Sequence, residues 1–182
     1  MIVYSGEEKI IHVDPAVETE EIEIQEQGSA TVHIGVNPKL AFSVILSGAG
    51  ASVSVFGRLR GTGDAHQEVT MKIIMQAPRT SCRVDMRAAL AGTSASFFDG
   101  LIRVEEGAKD SRGFLSYKAL LLSPGARAKP IPRLEVLTKH VASLGHAASV
   151  GKIDPDQLFY LQSRGLSGAE AENLIVTGFL GT

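Results

Sequence analysis

The feature that most constrains this chain is a long succession of short apolar/polar alternations, each set off by a turn containing glycine or proline. Gly28 precedes Val32 and Ile34, and Gly48 and Gly50 precede Val53 and Val55. Pro78 precedes Cys82, Val84 and Met86; Gly92 precedes Ala95 and Phe97; Gly107, Gly125 and Gly145 continue the series. Alternation with a period of two marks strands that bury one face. The intervals Gly28–Gly48 and Gly125–Gly145 are both 20 residues, and Gly48–Gly92 is 44, about two such steps. Gly92–Gly107 and Gly107–Gly125 are shorter, so the period is approximate and falls short of a sequence repeat. Two all-β architectures fit: an antiparallel sandwich or barrel, and a solenoid whose coils stack. Small turn residues favour the solenoid, because stacked corners leave no room for bulk. On the residues alone the two stay near even.

The period changes from 2 to 3.6 at Asp154. Asp154 suits an N-cap, Pro155 the first helical position and Gly165 the C′ stop. Leu158, Phe159 and Leu161 give this first helix a short apolar face. A second helix starts at Ser167, with Glu170 three residues on as a capping box. Ala171, Leu174, Ile175 and Phe179 follow at helical spacing, and that stripe needs a partner surface, either the last coil or another protein. The chain therefore divides into residues 1–153, a β-rich core with N-terminal strands, and 154–182, a helical segment. The open end of a solenoid exposes unpaired backbone, and the two helices are expected to cap one end. Within residues 1–27, strands are expected at Ile2–Tyr4, Lys9–Val13 and Glu21–Gln25. Glu21, Glu23 and Gln25 alternate with Ile22 and Ile24, which reads as one wet and one buried strand face, without the loop geometry calcium prefers.

Several function classes lose support at this level. A net charge of −2 gives no broad positive field for nucleic acid, and Arg58 and Arg60 alternate with Leu59 as on a solvated strand face. Cys82 is the only cysteine, so one chain can form neither an internal disulfide nor a cysteine-rich metal site. Its alternation with Val84 and Met86 assigns it to the core. No apolar run is long enough to span a membrane, and MIVYSGEEKI lacks the features of a signal peptide, so a cytoplasmic location is expected. His12, His33, His66 and His140 show no ligand spacing, and His33 and His66 are expected to face solvent. Gly61-Thr62-Gly63-Asp64 lacks the spacing of a phosphate loop and reads as a turn. A polysaccharide-cleaving β-helix would need converging carboxylates, and Asp85, Asp99 and Asp110 lie on different segments. No catalytic constellation emerges, and the chain is expected not to be an enzyme.

Roughly the last half of the chain resembles the SufB/SufD family, the scaffold proteins of SUF iron–sulfur cluster assembly. The resemblance rests on FFDGLIRVEEGAKDSRGFLSYKALLLSPGARAKPIPRLEV (Phe97–Val136) and GHAASVGKIDPDQLFYLQSRGLS, beginning at Gly145. It implies a mainly-β fold, a right-handed parallel β-helix with a short C-terminal two-helix segment. It also implies a non-catalytic scaffold that pairs along its β-helix, with a second copy or a SufB/SufD-like paralogue. The helical segment would dock a SufC-like ABC-type ATPase, with Leu174, Ile175 and Phe179 as anchors. His146 matches a histidine that the family places at its cluster-assembly site between two subunits, which implies an iron–sulfur cluster shared with a partner. Without the resemblance, His146 reads as an inward-facing, hydrogen-bonded histidine in phase with Leu144, Ala148 and Val150. The family's thiolates are missing. Leu144 stands where SufD-like members carry cysteine, Ala147 where SufB-like members carry glutamate, and no cysteine occurs near Tyr117, where SufB-like members have one. The missing cysteines imply a second possibility, a β-helix interaction module that has lost cluster binding.

Overall fold

The computed structural model describes residues 1–14, 16–35 and 39–181. The strands are β1 (Ile2–Val3), β2 (Glu8–Val13), β3 (Thr19–Ile24), β4 (Ser29–Ile34), β5 (Lys39–Leu46), β6 (Ser52–Gly61), β7 (His66–Met75), β8 (Ser81–Leu90), β9 (Ala95–Val104), β10 (Ser111–Leu121), β11 (Arg127–Val136) and β12 (Val141–Lys152). Two helices follow, α1 (Pro155–Ser163) and α2 (Gly168–Leu180). Odd-numbered strands form one six-stranded sheet, β1-β3-β5-β7-β9-β11, and even-numbered strands the other, β12-β10-β8-β6-β4-β2. Every pairing is parallel. Each coil therefore contributes one strand to each of two facing sheets. This is a flattened β-solenoid, and the antiparallel sandwich is excluded.

In-register stacking builds the core. Val32, Val55, Val84 and Leu115 occupy one column of the even sheet, all buried. Ile22, Val44, Ile73 and Ile102 form a column of the odd sheet. Where a column would be too tall, a glycine alternates with a large neighbour. A Cβ on Gly57 would overlap Sδ and Cε of Met86, its partner in β8, and one on Gly100 would lie 2.6 Å from the Phe98 ring. Tyr117 stacks on Phe98 with ring centroids 5.1 Å apart, and its hydroxyl hydrogen-bonds Ser96 Oγ at 2.9 Å.

One corner explains why the glycines keep no strict period. The register sets Gly6, Gln27, Gly50, Arg79 and Asp110 in one vertical column, and all five have positive φ, from 54° to 72°. Each amide in the column donates to a carbonyl of the next coil, from Gly6 to Glu26 at 2.9 Å through Asp110 to His140 at 2.8 Å. Only two of the five are glycine, so counting glycines misses the coil. Gln27 pairs 23 positions on with Gly50, and Ser52 pairs 29 positions on with Ser81. Gly145, grouped with the turns on sequence grounds, lies inside β12.

The helices correct one expectation. They do not seal an end of the solenoid. Val176 and Leu180 of α2 pack on Ala89, Leu120 and Leu122, so α2 lies along the outer face of the even sheet. Arg87 Nη1 donates to the Phe179 carbonyl at 2.7 Å, and Arg60 donates to Asn173 Oδ1 at 3.0 Å. Both arginines are on outward-facing rows. Asp85 holds Arg87 in place, accepting at 2.9 Å, and also accepts from Arg58 at 3.1 Å. The caps themselves form as the sequence implies: Asp154 accepts from Asp156 N, and Ser167 and Glu170 make the reciprocal box. Gly165 has φ of 96°. The helical segment's last residue, Thr182, lies outside the described residues.

Candidate functional site

With the helices on the side, the last coil is left open. At the first coil the inward residues Val3, Ile11 and Val13 are buried. At the last coil the inward row of β12 comprises Leu144, His146, Ala148 and Val150, set by pairing with Gly113, Leu115, Tyr117 and Ala119. Leu144 is only half-buried, and His146, Ala148 and Val150 are exposed. The inward row of β11, Ala128, Pro130, Pro132 and Leu134, is half-buried too. An inner face thus opens outward because no coil follows it among the described residues.

The two terminal strands also expose backbone. Arg127 N donates to Ser94 O and Leu137 N to Val104 O, so odd-numbered residues of β11 bond to β9. In a parallel ladder alternate residues point to opposite sides. The groups of Pro130 and Pro132 therefore face the free edge, where neither has an N–H to offer. Two consecutive donors are missing from that edge, while its carbonyls remain. β12 is the free edge of the other sheet.

His146 sits in the middle of this end. It keeps the inward phase the sequence gives it, yet it is exposed and its imidazole has no hydrogen-bond partner among the described residues. Its row-mate in β10 is Leu115, a buried apolar residue. Tyr117, near which the resemblance sets the cysteine of SufB-like members, is buried, hydrogen-bonded and two rows away. Cys82 is also remote from solvent. It is 5% exposed, and burial pushes its thiol up to about 12, against a weaker downward pull from the Phe114 backbone. With no metal to displace its proton, a thiol so placed stays protonated at neutral pH. No group of three or more His, Cys, Asp or Glu side chains converges among the described residues. This chain alone supplies one imidazole at its open end and no thiolate beside it.

The helical segment offers a second surface. Leu174 is 52% exposed and Phe159 73%, with Tyr160 also exposed. Ile175 lines a groove of about 540 Å³ between the helices, with Tyr160 and Leu161. Phe179 is half-buried over the seat that α2 makes on the solenoid. The three proposed anchors therefore differ: Leu174 points away, Ile175 faces the groove, and Phe179 mainly holds the helix down. The predicted stripe holds at Ala171, which is buried, while its later members fall one step short of the buried Val176 and Leu180, because a single partner surface does not describe this helix. α2 faces two, the sheet through Val176 and Leu180 and α1 through Ile175.

The remaining candidates resolve plainly. His33 lies on the outer face, half-buried between His12 and Phe56 at ring separations of 5.0 and 5.7 Å. His66 is exposed, as expected. Asp85 and Asp99 belong to outward rows of opposite sheets and each pairs with arginine, while Asp110 turns a corner. They do not form one groove. In the tie of Asp85, Arg58 and Arg87 to α2, Arg87 is two residues from Asp85 on β8, but Arg58 reaches Asp85 only by stacking of β6 on β8 and Phe179 reaches Arg87 only by docking of α2, neither of which carries a sequence signal.

Comparison with known proteins gives the family. Residues 15–179 match the family model described as SUF system FeS cluster assembly, SufBD core domain. An iron–sulfur cluster assembly SufBD family protein of Mycobacterium tuberculosis is 33% identical over 152 residues, 79% of this chain and 38% of its own length. The iron–sulfur cluster assembly protein SufD of Bacillus subtilis is 34% identical over 120 residues, 66% of this chain and 27% of its own. The chain thus spans less than two fifths of the length of these relatives. No helix among the described residues is long and apolar enough to cross a membrane. The parallel two-sheet solenoid, the helical tail laid along it and the match over nearly the whole chain together make this protein a member of the SufB/SufD family.

Proposed function

We propose that this chain is a non-catalytic scaffold component of iron–sulfur cluster assembly, working as part of a complex. The observation that carries this reading is the open last coil. It presents a half-buried apolar face and two free strand edges that another solenoid end can cover. The partner is a second copy or a SufB/SufD-like paralogue, joined end to end. The cluster is cargo, held between subunits, and His146 contributes one imidazole ligand while a paralogous partner supplies the thiolates that this chain, and so a second copy of it, lacks. Anaerobic reconstitution of the purified pair with iron and sulfide tests this. A visible chromophore should form and be lost in His146→Ala. Uptake that ignores the substitution would reject the assignment.

The helical segment docks an ABC-type ATPase of the SufC kind. The exposed Leu174 and the groove beside Ile175 support this, because an apolar patch of this kind on a helix pair is a seat for a partner helix or loop. Leu174→Asp is the clean test, since Leu174 does not brace α2. It should abolish co-purification with the ATPase while leaving melting unchanged. Phe179→Asp strips the seat as well as the surface and should lower both.

A second reading has one observation in its favour, the absence of any accessible thiolate. In it the chain pairs and docks as above but binds no cluster. Stable pairing with no iron uptake by the complex would select this reading over the first.

A further inference from the structure

The outer face of the even sheet holds a further feature at the open end, at the strand starts and away from the seat of α2. A groove of about 600 Å³ there is lined by Arg83 of β8, Arg112 and Phe114 of β10 and Ser143 of β12. All four belong to outward rows, in the phase opposite to the buried Val84, Leu115 and Tyr117. Arg83 and Arg112 form no ion pair among the described residues. Asp85, the acid on the outward face of β8, is taken by Arg58 and Arg87. The outward rows of β10 and β12 carry no acid, and Asp110 at the adjoining corner pairs with neither arginine. The groove is therefore cationic and open to a carboxylate.

Phe114 shows where the occupant comes from. It is 48% exposed, although it sits on the second strand in from the end. In its row it stands between Arg83 of β8 and Gly145 of β12. A Cβ on Gly145 would lie 3.2 Å from Cδ2 and Cε2 of the ring, so the ring leans over that glycine toward the free edge. A ring laid across an edge glycine shields its backbone and holds a bare apolar face toward the next strand position. Arg112 has Ser143 in the same place in its own row, a side chain too short to shut the guanidinium off from that position.

We propose that the partner strand covering β12 belongs to a paralogue and carries an acid abreast of Ser143 and a large apolar side chain abreast of Gly145. This rests on the end-to-end pairing proposed above and names what the partner must present. Two strand spacings put the new strand about 10 Å from β10. A carboxylate and Arg112 together reach across Ser143, and an aromatic or long apolar side chain meets Phe114 over Gly145. The residue between these two faces inward onto the half-buried Leu144 and is apolar. β12 of a second copy cannot fill this role, because its outward row is Ser143, Gly145, Ala147, Ser149 and Gly151. β2 of a second copy has Glu8 and the exposed Ile10 two apart, but its coil brings β1, two residues long, which continues the odd sheet only abreast of Glu135 and Val136. The inward row at Pro130 and Pro132 would stay uncovered.

The probes are two N-acetylated, C-amidated peptides, Thr-Glu-Val-Phe-Val-Thr and its reverse, Thr-Val-Phe-Val-Glu-Thr, one for each strand direction along β12. Each is titrated calorimetrically into the full chain. One of the two should bind saturably. Arg112→Gln and Phe114→Thr should each weaken it about tenfold or more, as should lysine in place of the peptide's glutamate. Both variants should melt with wild type, since both side chains are exposed. Binding by neither peptide overturns the proposal, and so does undiminished binding to Phe114→Thr or of the lysine peptide. Pairing of the chain with a SufB/SufD-like paralogue is followed separately by light scattering. Pairing that survives Arg112→Gln and Phe114→Thr together refutes the strand signature and leaves end-to-end pairing standing, whereas no pairing by wild type removes both. Self-association lost in Ile10→Ser would put a second copy's β2 on the edge and overturn the assignment to a paralogue.

Discussion

The pairing of Gly57 with Met86 gives a sharp test of the stacked register on which every assignment above depends. Gly57 faces the core in β6, and Met86, fully buried in β8, fills the space its missing Cβ leaves. Gly57→Ala forces the thioether aside in a packed column, and overpacking of this kind costs about 1–3 kcal/mol. Met86→Ala alone leaves a cavity and costs about 2–5 kcal/mol. In that background the Gly57→Ala methyl enters empty space. It buries one carbon, worth about 0.8 kcal/mol. It also removes glycine's excess freedom in the unfolded chain, worth about 0.4–1 kcal/mol, since φ at Gly57 is not positive. The same substitution should therefore change sign, from destabilising by about 2 kcal/mol to stabilising by about 1.5, a coupling of about 3.5 kcal/mol. Thermal melts followed by far-ultraviolet circular dichroism should show the single variant falling by several degrees. The double variant should melt about 3–6 °C above Met86→Ala, at about 2–4 °C per kcal/mol for a chain of this size. Additive effects, with no change of sign, would show that the two residues do not face each other, and the coil register would fall with them.

Three further outcomes are expected. Asp85→Asn should loosen α2 and cost about 1–2 kcal/mol, because Arg87 then loses the carboxylate that aims it at Phe179. Burial alone would raise the Asp85 carboxyl, but the Arg87 hydrogen bond and the charges of Arg58 and Arg87 outweigh it and hold the group below its ordinary 3.8. A depressed folded value stabilises above the unfolded one and is lost as pH falls through it. The gap between wild type and Asp85→Asn in denaturant melts should therefore be constant at neutral pH and close below about pH 4; a gap that persists at lower pH would dissociate it from the carboxylate. Arg79→Gly should stabilise by about 0.5–1 kcal/mol, because Arg79 holds φ of 58° where glycine rests without strain; urea unfolding midpoints would record it. Cys82 should resist alkylation in the native state at pH 8 and react promptly in denaturant, read by mass spectrometry, since its thiol is both buried and pushed up to about 12.

How far the sequence reaches can be seen residue by residue. The strand faces were legible because alternation is a local property: Val53, Val55, Val84 and Met86 announce their burial without help. The helix starts were legible for the same reason, since Asp154, Ser167 and Glu170 act within one turn. Coil length was not, because the corner needs a backbone conformation rather than a residue type, and Gln27, Arg79 and Asp110 adopt it beside two glycines. The seat of α2 shows in the sequence only as a lapse in alternation. Ala89, Leu120 and Leu122 lie in the unbroken apolar runs Ala88–Leu90 and Ala119–Leu122, where both faces of the sheet are covered, but nothing local says that α2 is the cover. His146 was placed in the correct phase by alternation, yet its exposure arises because no coil lies above it among the described residues, which no local pattern records.

The prolines at 130 and 132 have a consequence for how such a body can grow. An unfinished solenoid is a template, and identical ends could in principle add copy after copy into a fibre. Here one rim is mute at two successive steps, offering acceptors with nothing to donate. A newcomer can zip along β12 but must bridge a gap along β11, so the two rims cannot be extended alike. Under the pairing proposed above, that end takes a single, shaped counterpart and goes no further, which keeps an exposed edge from becoming a seed for aggregation.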